Sequence, residues 1–204
     1  MSAYQFSPSP TCGVGDPPFA TWINGFTDQE LLDIEKYCDA DLELRKATVA
    51  GKAEEDDFSA IRDSKIGWIS HNQETGWFYD RMAFIARCLN GQFYKFDLWG
   101  FSEDFQYTVY DGTEKNHYTW HVDMLSDSTS TLAPRKLSMI LQLSDPNSYK
   151  GGNLQIMTSS SFTDVRKERG LVAAFPSYVL HRVTPVTEGI RKTIVIWTTG
   201  PQFR

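Results

Sequence analysis

The stretch WHVDM sets His121 and Asp123 two positions apart. On a β-strand, side chains at i and i+2 leave the same face. An imidazole nitrogen and a carboxylate oxygen would then point together and form two legs of a facial metal site. His181, in the later strand-like run YVLHRV, offers a third ligand. Two histidines and one carboxylate leave coordination positions open, the donor set that suits a non-haem ferrous centre. An H-x-D triplet alone is weak, because such triplets arise by chance and a solitary strand histidine is more often packed or solvated.

Arg191 follows His181 by ten residues, and Thr193 comes next on alternation. The intervening TPVTEG reads as a turn, which predicts a hairpin between the two strands. Alternation puts Arg191, Thr193, Val195 and Trp197 on one face. Facing inward, that face would carry a cation and a hydroxyl into a barrel. A buried unpaired guanidinium is costly and calls for an anion. A fork of N–H groups beside a hydroxyl suits a carboxylate. The competing arrangement has Arg191 at the surface, paired with Glu188. His117 lies four residues before His121, a spacing that suits ligands on a helix. YTWHVDM reads as strand, so His117 is taken as a non-ligand.

These residues need a β framework, and the second half of the chain provides one. Short strand-like runs follow residue 92: FYKFDLWGF, DFQYTVY, YTWHVDM, KLSMILQLS, NLQIM, LVAAFP, YVLHRVTPV and RKTIVIWT. Turn signals separate them, among them DG at 111–112, DPN at 145–147, GG at 151–152 and EG at 188–189. The first half differs. Residues 1 to 18 are Pro- and Gly-rich and read as an irregular arm. A short strand is expected over Phe19 to Ile23 and a helix over about 28 to 40, with Thr27 and Glu30 as a capping box. Leu42 to Val49 and Lys65 to Ile69 read as strands. A second helix spans Gly76 to Asn90, with Trp77, Met82, Ile85 and Leu89 as its apolar face. The acidic stretch at 51 to 59 reads as an exposed mobile loop that could close over a site. Helices first and strands later predict an α+β fold, with the helices packed on one side of a β-sandwich or jelly-roll barrel.

Composition narrows the rest. The 204 residues suit one domain, and 41% hydrophobic content supports a core. A net charge of −6 without a Lys/Arg run argues against a nucleic-acid surface. No apolar stretch is long enough to span a membrane, and the N-terminus lacks the basic and apolar regions of a signal peptide. Cys12, Cys38 and Cys88 are odd in number and far apart, so they read as free thiols of a reducing compartment. The expectation is a cytoplasmic monomer without nucleic-acid or membrane partners.

From about residue 107 onward the chain resembles 2-oxoglutarate oxygenases of the prolyl 4-hydroxylase-like group. The matching text is YDG with HYTWHVD, then RKLSMILQLSD with GGNLQI, then FPSYVLHRVTPVTEGIRKTIVIW and the ending GPQFR. Upstream, AIRDS around Arg62 resembles the segment after that group's substrate-covering loop. The resemblance implies a double-stranded β-helix (cupin-like jelly roll) as a single domain over 1–204: arm 1–18, helix-rich support 19–100 and catalytic barrel 101–204. It implies His121, Asp123 and His181 as iron ligands. Arg191 would pair with the distal carboxylate of 2-oxoglutarate, assisted by Thr193 and by the hydroxyl of Tyr110, with Tyr107 a rival for that last role. Tyr118, Arg135 and Trp197 match positions on the peptide-binding side, although Tyr118 and Trp197 could equally be core aromatics. Fe(II), 2-oxoglutarate and O2 are the implied cofactors, with ascorbate as reductant. The implied reaction hydroxylates a C–H bond and releases succinate and CO2. A proline-containing peptide or protein is the first choice of substrate, and a free amino acid or small metabolite the second. The group's animal prolyl hydroxylases carry Lys where this chain has Arg191, which weakens the prolyl assignment but not cosubstrate binding. GGN at 151–153 stands where GGE is commoner. A cupin-like metalloprotein without oxygenase activity and an inactive barrel used as a peptide-binding module are the readings from other classes.

Overall fold

The computed structural model describes residues 17–48, 59–124 and 133–203. The N-terminal part holds β1 (Ala20–Trp22), α1 (Asp28–Asp41), β2 (Arg45–Lys46), β3 (Arg62–Asp63), β4 (Lys65–Ile69) and α2 (Gly76–Leu89). Strands then dominate: β5 (Phe105–Asp111), β6 (His117–His121), β7 (Arg135–Gln142), β8 (Tyr149–Gly151) and β9 (Leu154–Thr158). The last are β10 (Ser161–Asp164), β11 (Val172–Pro176), β12 (His181–Val183) and β13 (Val186–Thr199).

Two antiparallel sheets face each other. The larger runs β1-β11-β7-β13-β5-β4-β2, with β8 pairing the start of β13, and the smaller runs β10-β9-β12-β6-β3. This is a double-stranded β-helix with both helices on the outer face of the larger sheet. Alternation explains how its strands serve two cores. Phe105 and Tyr107, Leu137, Met139 and Leu141, and Ile194 and Ile196 pack outward against Leu31, Ile34, Met82 and Ile85 of the helices. Ile140, Phe175 and Tyr110 point inward, toward Leu154, Ile156 and Val183 of the smaller sheet. Strands covered on both faces are buried along nearly their whole length, as β7 is.

The first helix begins where its capping box predicts. The Glu30 N–H donates to Thr27 Oγ1 at 3.2 Å, and the Thr27 N–H donates to Glu30 Oε2 at 2.7 Å. Four expectations need correction. The hairpin between the His181 and Arg191 strands is absent: β12 pairs β6 and β9 in the smaller sheet, while β13 pairs β5 and β7 in the larger. The TPVTEG segment carries the chain from one sheet to the other. FYKFDLWGF is not a strand. The second helix unwinds into a π-turn over Asn90–Tyr94, and the Asn90 side chain binds the N–H and C=O of Phe96 at 2.9 and 2.8 Å in place of a ladder partner. Of the 42–49 stretch, only Arg45–Lys46 is strand among the described residues, which end at 48. Trp77 is 39% exposed, and Phe78 takes its place on the buried face with Met82, Ile85 and Leu89, positions that recur at helical spacing. Cys38 and Cys88 are free thiols, while Cys12 and residues 51–58 of the acidic loop lie outside the described residues. Among the described residues, no helix is long and apolar enough to cross a membrane.

Candidate metal centre

The two strands that carry the histidines are hydrogen-bonded neighbours, and His121 and His181 sit directly opposite each other across them. Asp123 lies past the end of β6, not on it. The i, i+2 relation therefore acts through a strand terminus. The Asp123 and Met124 N–H groups both donate to the Ser177 carbonyl, at 2.9 and 2.8 Å, and that clamp aims the carboxylate inward. His121 Nε2 lies 3.7 Å from Asp123 Oδ1, and His181 Nε2 lies 3.4 Å from Asp123 Oδ2. Ligand atoms of all three residues fall within 4.8 Å of one another, the one such cluster of His, Cys, Asp and Glu among the described residues. His117 is outside it, with Nδ1 3.2 Å from the Lys115 carbonyl.

The donor set fits a divalent cation. Nδ1 of His121 is 2.8 Å from the Thr119 carbonyl, and Nδ1 of His181 is 2.9 Å from the Val179 carbonyl. A carbonyl can only accept, so each Nδ1 carries the proton and each Nε2 presents a lone pair to the centre. Burial, followed by the neighbouring His181, pulls the His121 pKa down to about 3, which keeps that ring neutral. Burial alone would raise Asp123. The facing histidines and a 2.7 Å hydrogen bond donated by Ser138 Oγ outweigh it and hold the carboxyl below its ordinary value. Two imidazoles held through Nδ1 and one carboxylate, converging within 4.8 Å, form a ready-made metal site.

The centre opens into a cavity of about 190 Å³ between the sheets. Register assigns its floor: Arg191 pairs with Tyr110, Thr193 with Thr108 and Gln142, and Val195 with Gln106 and Ile140. Arg191 is 1% exposed. Its Nη2 donates to Gln142 Oε1 at 3.2 Å, while Nε and Nη1 have no partner. Its guanidinium carbon stands 5.3 Å from the Tyr110 ring centroid. The surface alternative is excluded, since Glu188 pairs with Lys150 at 2.7 Å. Neighbouring cations point elsewhere. Lys192 bonds Glu35 and Asp39 at 3.0 and 2.6 Å on the helix side. Arg182 bonds Gln155 at 2.7 Å and covers Trp120. Tyr110 lines the cavity. Tyr107 faces the helices and donates its hydroxyl to Asp39 at 2.7 Å.

Gly152 (φ +61°) makes room for Arg191. A Cβ there would lie 2.8 Å from Arg191 Cδ and from Val186 Cγ2. Its neighbour Asn153 binds Asp164 through its side-chain amide at 2.8 Å.

Tyr118, Arg135 and Trp197 also line the cavity. The Tyr118 ring stacks on His121 with centroids 3.4 Å apart. The Arg135 guanidinium lies 3.7 Å over the Trp197 ring and donates to Glu103 at 2.6 Å. Sequence reasoning gave no site role to Ser138, Gln142, Gln106 or Arg62. Polar residues at every second or fourth position of the apolar run KLSMILQ were the available signal for the first two.

Residues 105–199 match the family model described as the 2OG-Fe(II) oxygenase superfamily. A PKHD-type hydroxylase of Teredinibacter turnerae is 42% identical over 86 residues, which cover 39% of this chain and 36% of that protein's length. A Pseudomonas putida prolyl-4-hydroxylase superposes with a TM-score of 0.70 at 20% identity, covering 91% of this chain and 94% of the other. A Trichoplax adhaerens prolyl hydroxylase, solved with a hypoxia inducible factor peptide fragment, gives 0.68 at 18% identity, covering 90% and 84%.

Proposed function

We propose, from the match of residues 105–199 to the 2OG-Fe(II) oxygenase superfamily model, that the chain hydroxylates a C–H bond of a peptidyl proline. The cosubstrates are 2-oxoglutarate and O2, the products include succinate and CO2, and ascorbate is the reductant. The observation that carries the oxygenase reading is the orphaned Arg191 fork, buried in the same cavity as the His121, Asp123 and His181 cluster. A metal-binding barrel without a diacid cosubstrate has no use for a buried cation whose Nε and Nη1 are unpaired, since such a group is costly to bury.

Each group has a task. His121, Asp123 and His181 hold Fe(II), which when bound supplies the redox chemistry and open coordination positions. Arg191 pairs with the distal carboxylate of 2-oxoglutarate, with the Thr193 and Tyr110 hydroxyls beside it. Burial raises the Tyr110 pKa, so its phenol keeps the proton it would donate. Apolar Ile140, Leu154 and Val183 exclude water around the cosubstrate. Tyr118, Arg135 and Trp197 would meet the substrate, and the unpartnered Trp197 Nε1 is a donor for a peptide carbonyl. The prolyl choice draws on the named activity of the neighbouring folds and on these aromatic walls.

The test is a mass-spectrometric screen of proline-containing peptides for a gain of one oxygen, with Fe(II), 2-oxoglutarate and ascorbate present. Succinate formation is followed in parallel. Succinate without any oxygenated peptide would move the substrate to a free amino acid or small metabolite. Absence of succinate would leave a metal-binding barrel without oxygenase activity.

A further inference from the structure

The cavity holds a second buried guanidinium that the iron and cosubstrate do not use. Arg62, on the edge strand of the smaller sheet, is 8% exposed and lines the cavity. Its Nη1 donates to the Thr48 carbonyl at 3.2 Å and its Nη2 to Gln106 Oε1 at 3.3 Å, both long bonds to neutral acceptors. Its Nε has no partner. The guanidinium stands 4.7 Å from the Tyr118 ring centroid, and that ring stacks on His121. Arg62 is thus held one aromatic layer away from the metal cluster.

Charge makes the position informative. Among the described lining residues, the charged groups besides Arg62 are Asp123, Arg135 and Arg191. Arg135 is matched by Glu103. A ferrous ion and dianionic 2-oxoglutarate cancel each other, and Arg191 offsets Asp123. Arg62 remains, a desolvated cation without an anion among the described residues. Such a group is costly unless something negative arrives with the occupant of the pocket.

We propose that Arg62 reads a carboxylate on the substrate, placed next to the carbon that is hydroxylated. The inference rests on the oxygenase reading of the same site and narrows its substrate to an anionic one. The carboxylate can come from an Asp or Glu side chain flanking the reacting residue or from a chain terminus. Gln106 and Thr48 fix the fork, and Tyr118 keeps its plane toward the metal cluster, so Arg62 acts by binding substrate and not by holding iron.

The experiment uses matched pairs that differ only in charge. One arm takes blocked proline tripeptides with Asp or Asn, and Glu or Gln, on either side of proline. The other takes N-acetylproline against N-acetylprolinamide, and free amino acids against their amides. Binding to the Fe(II)–2-oxoglutarate enzyme without O2 is read by tryptophan fluorescence, since Trp68 and Trp197 line the cavity. The carboxylate member of at least one pair should bind wild type at least about tenfold more tightly than its amide, the value of a charge-assisted bond. Arg62→Gln should erase that preference and Arg62→Lys should keep part of it. The responsive arm identifies the source of the carboxylate. The proposal is overturned if no compound in either arm binds wild type more tightly than Arg62→Gln, or if the amides bind as well as the acids. Succinate formed without substrate is measured for all three proteins. Its absence in wild type would count against the oxygenase reading itself.

Discussion

The two sheets contribute to one cavity in different ways. The larger sheet offers long, regular strands, and β13 alone runs for 14 residues. Its inner face repeats every second residue, so Arg191, Thr193, Val195 and Trp197 come as a set. The smaller sheet offers strands of at most five residues. Its register shifts between His181 and Val183, and Asp123 hangs past a strand end. A regular ladder suits an anchor for a diacid, because spacing along the strand is fixed. A compact metal cluster needs three donors closer together than one strand face can bring them. Irregular backbone, clamped by Ser177, supplies that convergence.

If the division holds, damage to the smaller sheet's ligands should remove the metal and damage to the larger sheet should remove the cosubstrate. The largest effect is expected for His121→Ala, Asp123→Ala and His181→Ala. Each deletes one of the three proposed ligands and should take 2-oxoglutarate decarboxylation to background, with far-ultraviolet circular dichroism unchanged. Calorimetric Fe(II) titration should show binding lost in the His121/Asp123 double variant. Wild-type-like succinate formation by any single variant would falsify the ligand assignment.

Next comes the anchor. Arg191→Ala removes one partner of the proposed buried ion pair with the cosubstrate, a change that costs about 3–5 kcal/mol. At ~1.4 kcal/mol per decade this weakens 2-oxoglutarate by about two to three orders of magnitude. Arg191→Lys keeps the charge and loses the fork, so its effect should be milder. Fe(II) affinity should stay the same in both. An unchanged KM for 2-oxoglutarate would mean that the cosubstrate sits elsewhere.

Gly152→Ala sharpens the comparison without replacing a functional group. The added methyl would meet Arg191 Cδ and strain a backbone at φ +61°. Displacing a positioning group by an ångström can cost roughly a hundredfold, so KM for 2-oxoglutarate should rise by about ten- to a hundredfold, with Fe(II) binding intact. Loss of both together would show that the sheets are not separable in this way.

The same contrast governs what the sequence makes legible. Period-two alternation in RKTIVIWT puts Arg191 and Thr193 on the inner face even though the expected hairpin does not exist. Alternation depends on the strand alone, whereas the partner of a strand depends on the whole fold. WHVDM points to two residues that do converge with His181, but for a partly wrong reason, because the Ser177 clamp that aims Asp123 lies far away in sequence. Arg62 escapes a site role because AIRDS shows neither periodicity nor a ligand spacing. Its place in the cavity comes from pairing β3 with β6, which no local pattern encodes. The π-turn at Asn90–Tyr94 is hidden for a related reason: aromatic residues that favour strands are held there by one asparagine side chain.

The smallest predicted effect is the control on alternation. Lys192 follows Arg191 on the same strand, and its side chain leaves by the opposite face. There its ammonium meets Glu35 and Asp39 of α1, which hold its pKa above the ordinary lysine value despite burial. Both carboxylates keep a partner when Lys192 is removed, since Arg169 bonds Glu35 at 3.0 Å and Tyr107 bonds Asp39. Neither is left stranded, so Lys192→Met should cost about 1 kcal/mol of stability, the upper end for a solvent-accessible pair. The methionine stem still covers the helix side. Urea unfolding should show this as a lower midpoint at constant slope. KM for 2-oxoglutarate should not move, because the strand's inner face is untouched. A rise in KM comparable with that of Arg191→Lys would mean that the helix-side salt bridges set the register of the inner face, and that the larger sheet is not the rigid template its ladder suggests.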